Sequence, residues 1–202
     1  MENPCVCLTI KTGLLLAMHD TLYYNNDGGD WFMLDVKIKD LLNQQINKEF
    51  YSAYLYLAFS NYFSERNLSG FSNWYRIQAQ EERDHAMLFL QYLENNSETV
   101  VLEAVDRPEQ DFQSDMAVLE KGLQHERYVT DLIHTIYDAA YSVKDFRTMQ
   151  FLDWFVKEQG EEEKNAEDLL KKMELFGGDP KSLYLLDQEL AARTYAAPSL
   201  VL

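Results

Sequence analysis

After Met33, apolar side chains recur at alternating steps of three and four, the spacing that lines one face of an α-helix. The first such run reaches about Ser64, and its inward stripe reads Leu42, Ile46, Glu49, Ala53, Tyr56. Arg66-Asn67-Leu68-Ser69-Gly70 is a turn, with Ser69 the expected N-cap of the next helix. That helix runs from about Ser69 to Leu93, with Trp74 or Tyr75, Gln78, Glu82, His85, Phe89 and Leu93 on one face. Asn95-Asn96-Ser97 ends it, and a stretch without helical period, carrying Pro108, follows. Such a connection is long enough to carry the chain from one end of a bundle to the other. A third helix starts near Phe112 with the stripe Met116, Leu119, Leu123, Glu126, Thr130, Ile133, Tyr137. After a short turn, Asp145 can cap a fourth helix whose stripe is Thr148, Leu152, Phe155, Gln159, Glu162, Ala166, Leu169, Met173. Gly177-Gly178-Asp179-Pro180 stops it near Phe176. A short fifth helix, Pro180 to about Arg193, places Leu183, Leu186 and Leu190 on one side. The fold class is therefore all-α: four long helices with short, long and short connections, giving a bundle with one crossover and a short C-terminal helix.

Each long stripe is interrupted by polar residues at similar depth: Glu49, Glu82 with His85, Glu126, and Gln159 with Glu162. Taken alone, Glu82-x-x-His85 is a spacing common on solvated helices. Here both residues fall on the core side. A lone buried carboxylate costs several kcal/mol unless it is paired or binds a cation. Four carboxylates converging in one core repel one another, and the inward stripes hold no Lys or Arg to relieve this. Divalent cations would. Oxygen-rich ligation with a single imidazole suits iron or manganese better than a closed structural zinc site. With one carboxylate bridging, the set can hold two ions. Gly160, beside these residues, costs about 1 kcal/mol relative to Ala in mid-helix; tight packing and local flexibility are its two readings.

Composition narrows the partners. Eighteen Lys and Arg against 34 Asp and Glu give a net charge of −16, which argues against nucleic acid or an anionic membrane. No run reaches the length of a membrane span. Both cysteines, Cys5 and Cys7, lie in the first seven positions, so no disulfide framework spans the body, as expected of a cytoplasmic protein. Residues 1–32 lack helical period and contain the loop signal Asn25-Asn26-Asp27-Gly28-Gly29-Asp30. They are expected to form a poorly packed extension before a domain at 33–193, with 194–202 a loose apolar tail.

Three stretches carry a resemblance to a known family: Asn47-Lys-Glu49-Phe-Tyr51, Gln80-Glu-Glu-Arg-Asp-His85 and Trp154-Phe-Val-Lys-Glu-Gln-Gly-Glu-Glu-Glu-Lys164. With them, Met33 to Arg193 resembles the bacterial non-haem ferritins. The resemblance implies a ferritin-like bundle that stores ferric mineral in a homo-oligomeric shell of about 24 subunits. It also implies a ferroxidase centre in each bundle, oxidising Fe(II) with dioxygen or hydrogen peroxide. By position, Glu49, Glu82 and His85 resemble the ligands of a first iron. Glu82 resembles the bridge, and Glu126 with Gln159 the ligands of a second. Glu162, with Glu81, Glu158 and Glu161, resembles an accessory third iron site. Tyr56 resembles the tyrosine beside the centre and Trp154 a nearby tryptophan; either can donate an electron or simply pack. Bacterioferritins and rubrerythrins carry a second Glu-x-x-His in the fourth helix, where this chain has Gln159-Gly-Glu-Glu162. His125 and His134 are read as surface or satisfied histidines. A di-metal oxidase of organic substrates, and a shell subunit with an inactive centre, are the competing functions.

Overall fold

A computed structural model of the protein describes residues 34–202. Among them are five helices, α1 (Val36–Glu65), α2 (Ser69–Asn95), α3 (Asp115–Val143), α4 (Phe146–Phe176) and α5 (Pro180–Ala191), and no strand. The expected extension at residues 1–32 lies outside the described residues. None of the described helices is long and apolar enough to cross a membrane.

Local chemistry sets most helix starts. Asp35, Ser114, Asp145 and Asp179 each accept a hydrogen bond from a backbone N–H in the first turn of α1, α3, α4 and α5. The third helix thus begins at Asp115 rather than near Phe112, because Ser114 supplies the cap. The second helix differs from expectation. Ser69 is its first helical residue, not its cap, and the capping position, Leu68, has no side-chain oxygen. The free N–H groups of Gly70 and Phe71 are instead taken, at 2.7 and 3.1 Å, by Oδ1 of Asp187 from α5. The small fifth helix is therefore fastened to the bundle by capping another helix. The long connection, residues 96–114, is held against α1 by two asparagines one turn apart. Asn43 accepts from Val101 N at 2.7 Å, and Asn47 donates to the Ala104 carbonyl at 3.0 Å.

Helix α1 packs with α2, α3 with α4, and the two pairs close on a shared interior. That interior is not one continuous apolar core. One cluster gathers Ile38, Leu42 and Ile46 with Phe89, Leu93, Ile133, Leu152 and Phe155. The other gathers Leu55, Tyr56, Phe59 and Phe63 with Phe71, Tyr75, Leu119, Leu169, Leu186 and Leu190. Along each long helix the gap between the clusters falls at the polar interruption: Glu49, Glu82 with His85, Glu126, and Gln159 with Glu162. Two hydrophobic blocks thus clamp a polar layer in mid-bundle.

The tail differs from the loose segment expected. Tyr195 donates to Asp84 on α2 at 2.5 Å, the indole N–H of Trp154 on α4 donates to Ser199 at 3.0 Å, and Leu200 packs against the first core cluster. Its anchors are single long-range bonds, which leave no period in the sequence.

Candidate metal centre

The polar layer brings together one face of each long helix. Glu49, Glu82, His85, Glu126, Gln159 and Glu162 are all buried, although four of them are carboxyl groups. Three overlapping groups each bring ligand atoms within 4.8 Å of one another: Glu49, Glu82 and His85; Glu82, Glu126 and Glu162; and His85, Glu158 and Glu162. Glu82 belongs to the first two, so one carboxylate stands where it can serve two ions. Spacing explains the arrangement. Residues 82 and 85 are three apart on α2, as are 159 and 162 on α4, so each pair shares a helix face.

Amides and a phenol hold the carboxylates in place. Gln45 donates to Glu49 at 2.8 Å. Gln78 donates to Glu82 at 3.2 Å and across the bundle to Glu162 at 2.9 Å. The Tyr56 hydroxyl donates to Glu126, and the Gln159 amide lies 3.3 Å from the Glu126 carbonyl and 3.4 Å from its carboxylate. His85 Nδ1 is 3.5 Å from Glu82 Oε2. The ring of His85 meets the edges of Trp154 and Phe155, which fix its plane. Two carboxylate oxygens, Glu49 Oε2 and Glu162 Oε2, are buried with no hydrogen-bond partner among the described residues. An oxygen in that position costs about 1–3 kcal/mol or more, and a cation would satisfy it.

Burial dominates the electrostatics. It pushes the carboxyl groups of Glu49, Glu82 and Glu162 well above their ordinary values, with neighbouring carboxylates adding to the rise. Glu126 is also raised by burial, while the bonds from Tyr56 and Gln159 work the other way. Each of these groups gains from a positive charge placed among them.

The more peripheral acidic residues divide. Glu158 joins His85 and Glu162 in the third group. Glu81 lies beside it but is held by Arg193 at 2.5 Å. Glu161 is not brought to the layer; it is exposed and pairs with Lys157, one turn away, at 3.2 Å. His134 is exposed. His125, by contrast, is buried and satisfied, with its Nε2 2.8 Å from the Ser52 hydroxyl, and burial lowers its pKa to about 4. Sequence reasoning gave no role to Gln45, and none to Gln78 beyond a place on the stripe. Their signal was an amide one turn before each of two inward carboxylates, Gln45 before Glu49 and Gln78 before Glu82. Gly160 is exposed and a methyl group there would meet nothing within 4 Å among the described residues, so tight packing against them does not explain it.

Comparison with known proteins agrees with this architecture. The family described as Ferritin-like domain matches residues 39–176. The chain belongs to the ferritin family. A bacterial non-heme ferritin of Staphylococcus saprophyticus is 37% identical over 163 residues, covering 81% of this chain and 98% of the relative. A bacterial non-heme ferritin of Campylobacter jejuni is 40% identical over 156 residues, covering 77% and 93%. Among solved structures, the open pore ferritin of the hyperthermophilic archaeon Archaeoglobus fulgidus is 43% identical with a TM-score of 0.78, covering 80% of this chain and 99% of that one. The ferritin match takes in α1 from its second turn, the whole of α2, α3 and α4, and the entire polar layer.

Proposed function

We propose that the protein is an iron-storage ferroxidase. It binds Fe(II) in the polar layer, oxidises it and passes the ferric product on for storage as mineral. The observation that carries this reading is the layer itself. Four buried carboxyl groups, one from each long helix, converge with two oxygens left unpartnered among the described residues.

Two ions are the natural load. Glu49, Glu82 and His85 hold one, Glu82 bridges, and Glu126 with Gln159 faces the second; Glu158 and Glu162 form an accessory position with His85. Each Fe(II) gives up one electron. Two of them reduce dioxygen with two protons to hydrogen peroxide, or hydrogen peroxide with two protons to two waters. The protein contributes geometry and negative charge, which favours the more highly charged ferric product. The lone imidazole on α2, with Gln159 on α4 in place of a second Glu-x-x-His, gives an asymmetric site suited to iron in transit.

Storage requires a cavity between subunits, and a homo-oligomer of 24 copies in the cytoplasm is the assembly we infer. The ferritin relatives support it. So do apolar side chains left exposed on α1 and the crossover, among them Tyr54, Leu57, Val101 and Leu102. The decisive experiment replaces Glu82 and His85 together by Ala and follows Fe(II) oxidation under air. The initial rate is expected to fall to that of iron in buffer, and an unchanged rate would remove the centre. Analytical ultracentrifugation of the same samples tests the assembly separately.

A further inference from the structure

The metal layer has a support that reaches it from the end of the chain. Arg193 lies just beyond α5, outside the residues matched by the ferritin family. Its guanidinium donates to the Gln78 side-chain oxygen at 3.0 Å, the Trp74 carbonyl at 3.3 Å and Glu81 at 2.5 Å. It also stacks over the Trp74 ring, with Cζ 4.2 Å from the centroid. Gln78 is buried, and its other end faces the layer. There Nε2 donates to Oε1 of Glu82 and Oε1 of Glu162.

The chemistry of the donors makes this a directional chain. Arginine has five N–H donors and no acceptor. The Gln78 atom facing Arg193 must therefore be the oxygen, and the NH2 group must face the carboxylates. With the amide so oriented, one oxygen of each carboxylate is occupied. Oε2 of Glu82 is left beside His85, and Oε2 of Glu162 has no partner among the described residues. Turned the other way, the amide would present its oxygen to two carboxylates and repel both.

We infer that Arg193 is a positioning residue for the metal centre: through Gln78 it fixes which oxygens of Glu82 and Glu162 are free to take a metal ion. The inference rests on the metal-centre reading above and adds a part of the chain beyond the four-helix bundle. Gln78 is the side chain one step removed from the ligands, a place typically worth 10- to 100-fold in metal affinity, and Arg193 acts through it.

The test uses the full-length protein and Co(II), whose visible absorption reports ligand geometry without turnover. Anaerobic titration of wild type, R193A, Q78A, the double variant R193A/Q78A, R193K and Y195F is followed by thermal melting of each. Gln78→Ala is expected to weaken Co(II) binding about 10-fold or more, and Arg193→Ala to weaken it measurably, by no more than Q78A does, and to alter the spectrum. The double variant is expected to be no weaker than Q78A, because both changes break one chain. Lysine keeps the charge toward Glu81 but lacks the fork, so R193K is expected to recover only part of the affinity. Y195F frees the tail from Asp84 without touching Arg193 and is expected to match wild type. Wild-type affinity in R193A, full recovery in R193K, or a double variant as weak as the product of the two single losses would each overturn the relay. A loss in Y195F equal to that in R193A would instead assign the effect to tail packing. Wild-type protein that binds no Co(II) would overturn the metal centre itself, an outcome distinct from all of these.

Discussion

The hydroxyl of Tyr56 on α1 donates to the carboxylate of Glu126 on α3, tying two helices together at the depth of the metal layer. The pair is fully enclosed: both residues are buried, and the Tyr56 ring stacks on Tyr75 at 5.7 Å. Tyr56→Phe keeps the ring and removes the donor, leaving Glu126 to the Gln159 amide. The metal-free variant is expected to lose about 1–3 kcal/mol, the cost of stripping a donor from a buried polar group. Urea unfolding of metal-free protein measures this as a lower midpoint at unchanged slope. An unchanged midpoint would show that the bond contributes nothing.

The raised carboxyl groups give the metal-free protein an unusual pH dependence. A Glu whose pKa in the folded state exceeds its unfolded value binds its proton more tightly when folded. Its contribution is fully present below the ordinary value of 4.5 and is lost as pH rises through the raised one. Glu49, Glu82, Glu162 and Glu126 all move in this direction. The contribution of the layer to metal-free stability is therefore expected to decline as pH rises above 4.5. Divalent metal displaces those protons, so the stabilisation by Zn(II) should grow over the same window. Calorimetric melting with and without Zn(II), at several pH values, checks the sign. A metal-induced shift that shrinks with rising pH would contradict the shared cause.

Glu162 gives the sharpest conflict between stability and function. One of its oxygens accepts from Gln78, the other is buried without a partner among the described residues, and burial first, then the charges of Glu82, Glu126 and Glu49, opposes its ionisation. Glu162→Gln preserves shape and the acceptor for Gln78, and it turns a donor toward the neighbouring carboxylates. Metal-free protein at pH 8 is expected to gain about 1 kcal/mol, raising Tm by about 2–4 °C for a chain of this size. The same change is expected to weaken Co(II) binding. A variant both less stable and unaltered in binding would show that Glu162 is structural.

How much of this the sequence disclosed follows from periodicity. The inward phase of every long helix was legible, because interior positions repeat at helical spacing and the four interruptions fell on the same side. Glu49, Glu82, His85, Glu126, Gln159 and Glu162 were legible for that reason, although the resemblance assigned their individual roles. Residues whose role depends on a distant partner were not. Asp187 caps a helix more than a hundred positions away, Arg193 reaches Gln78 over a similar separation, and Ser199 meets Trp154. None of these repeats, so none leaves a period to read. Glu161 marks the opposite case. It shares a sequence neighbourhood with Glu158 and Glu162, but its place on α4 turns it to solvent and to Lys157.

Two glycines are expected to respond in opposite directions to alanine. At Gly70 an added Cβ would sit 1.7 Å from the backbone oxygen of Asp187 and 2.6 Å from its carbonyl carbon. A backbone group cannot turn aside as a side chain can, so α5 must move and release the N–H groups of Gly70 and Phe71 that Asp187 caps. Overpacking and the lost caps together are expected to cost about 2–4 kcal/mol. Because α5 leads to Arg193, Gly70→Ala should also weaken Co(II) binding, although residue 70 is no ligand. At Gly160 none of the described residues lies within 4 Å of the added methyl, and the position is in the interior of α4. Gly160→Ala is expected to gain about 0.5–1 kcal/mol by restricting the unfolded chain. Thermal melts of the two metal-free variants beside wild type decide the matter. Equal shifts of the same sign would mean that the docking of α5 on α2 does not distinguish the two positions.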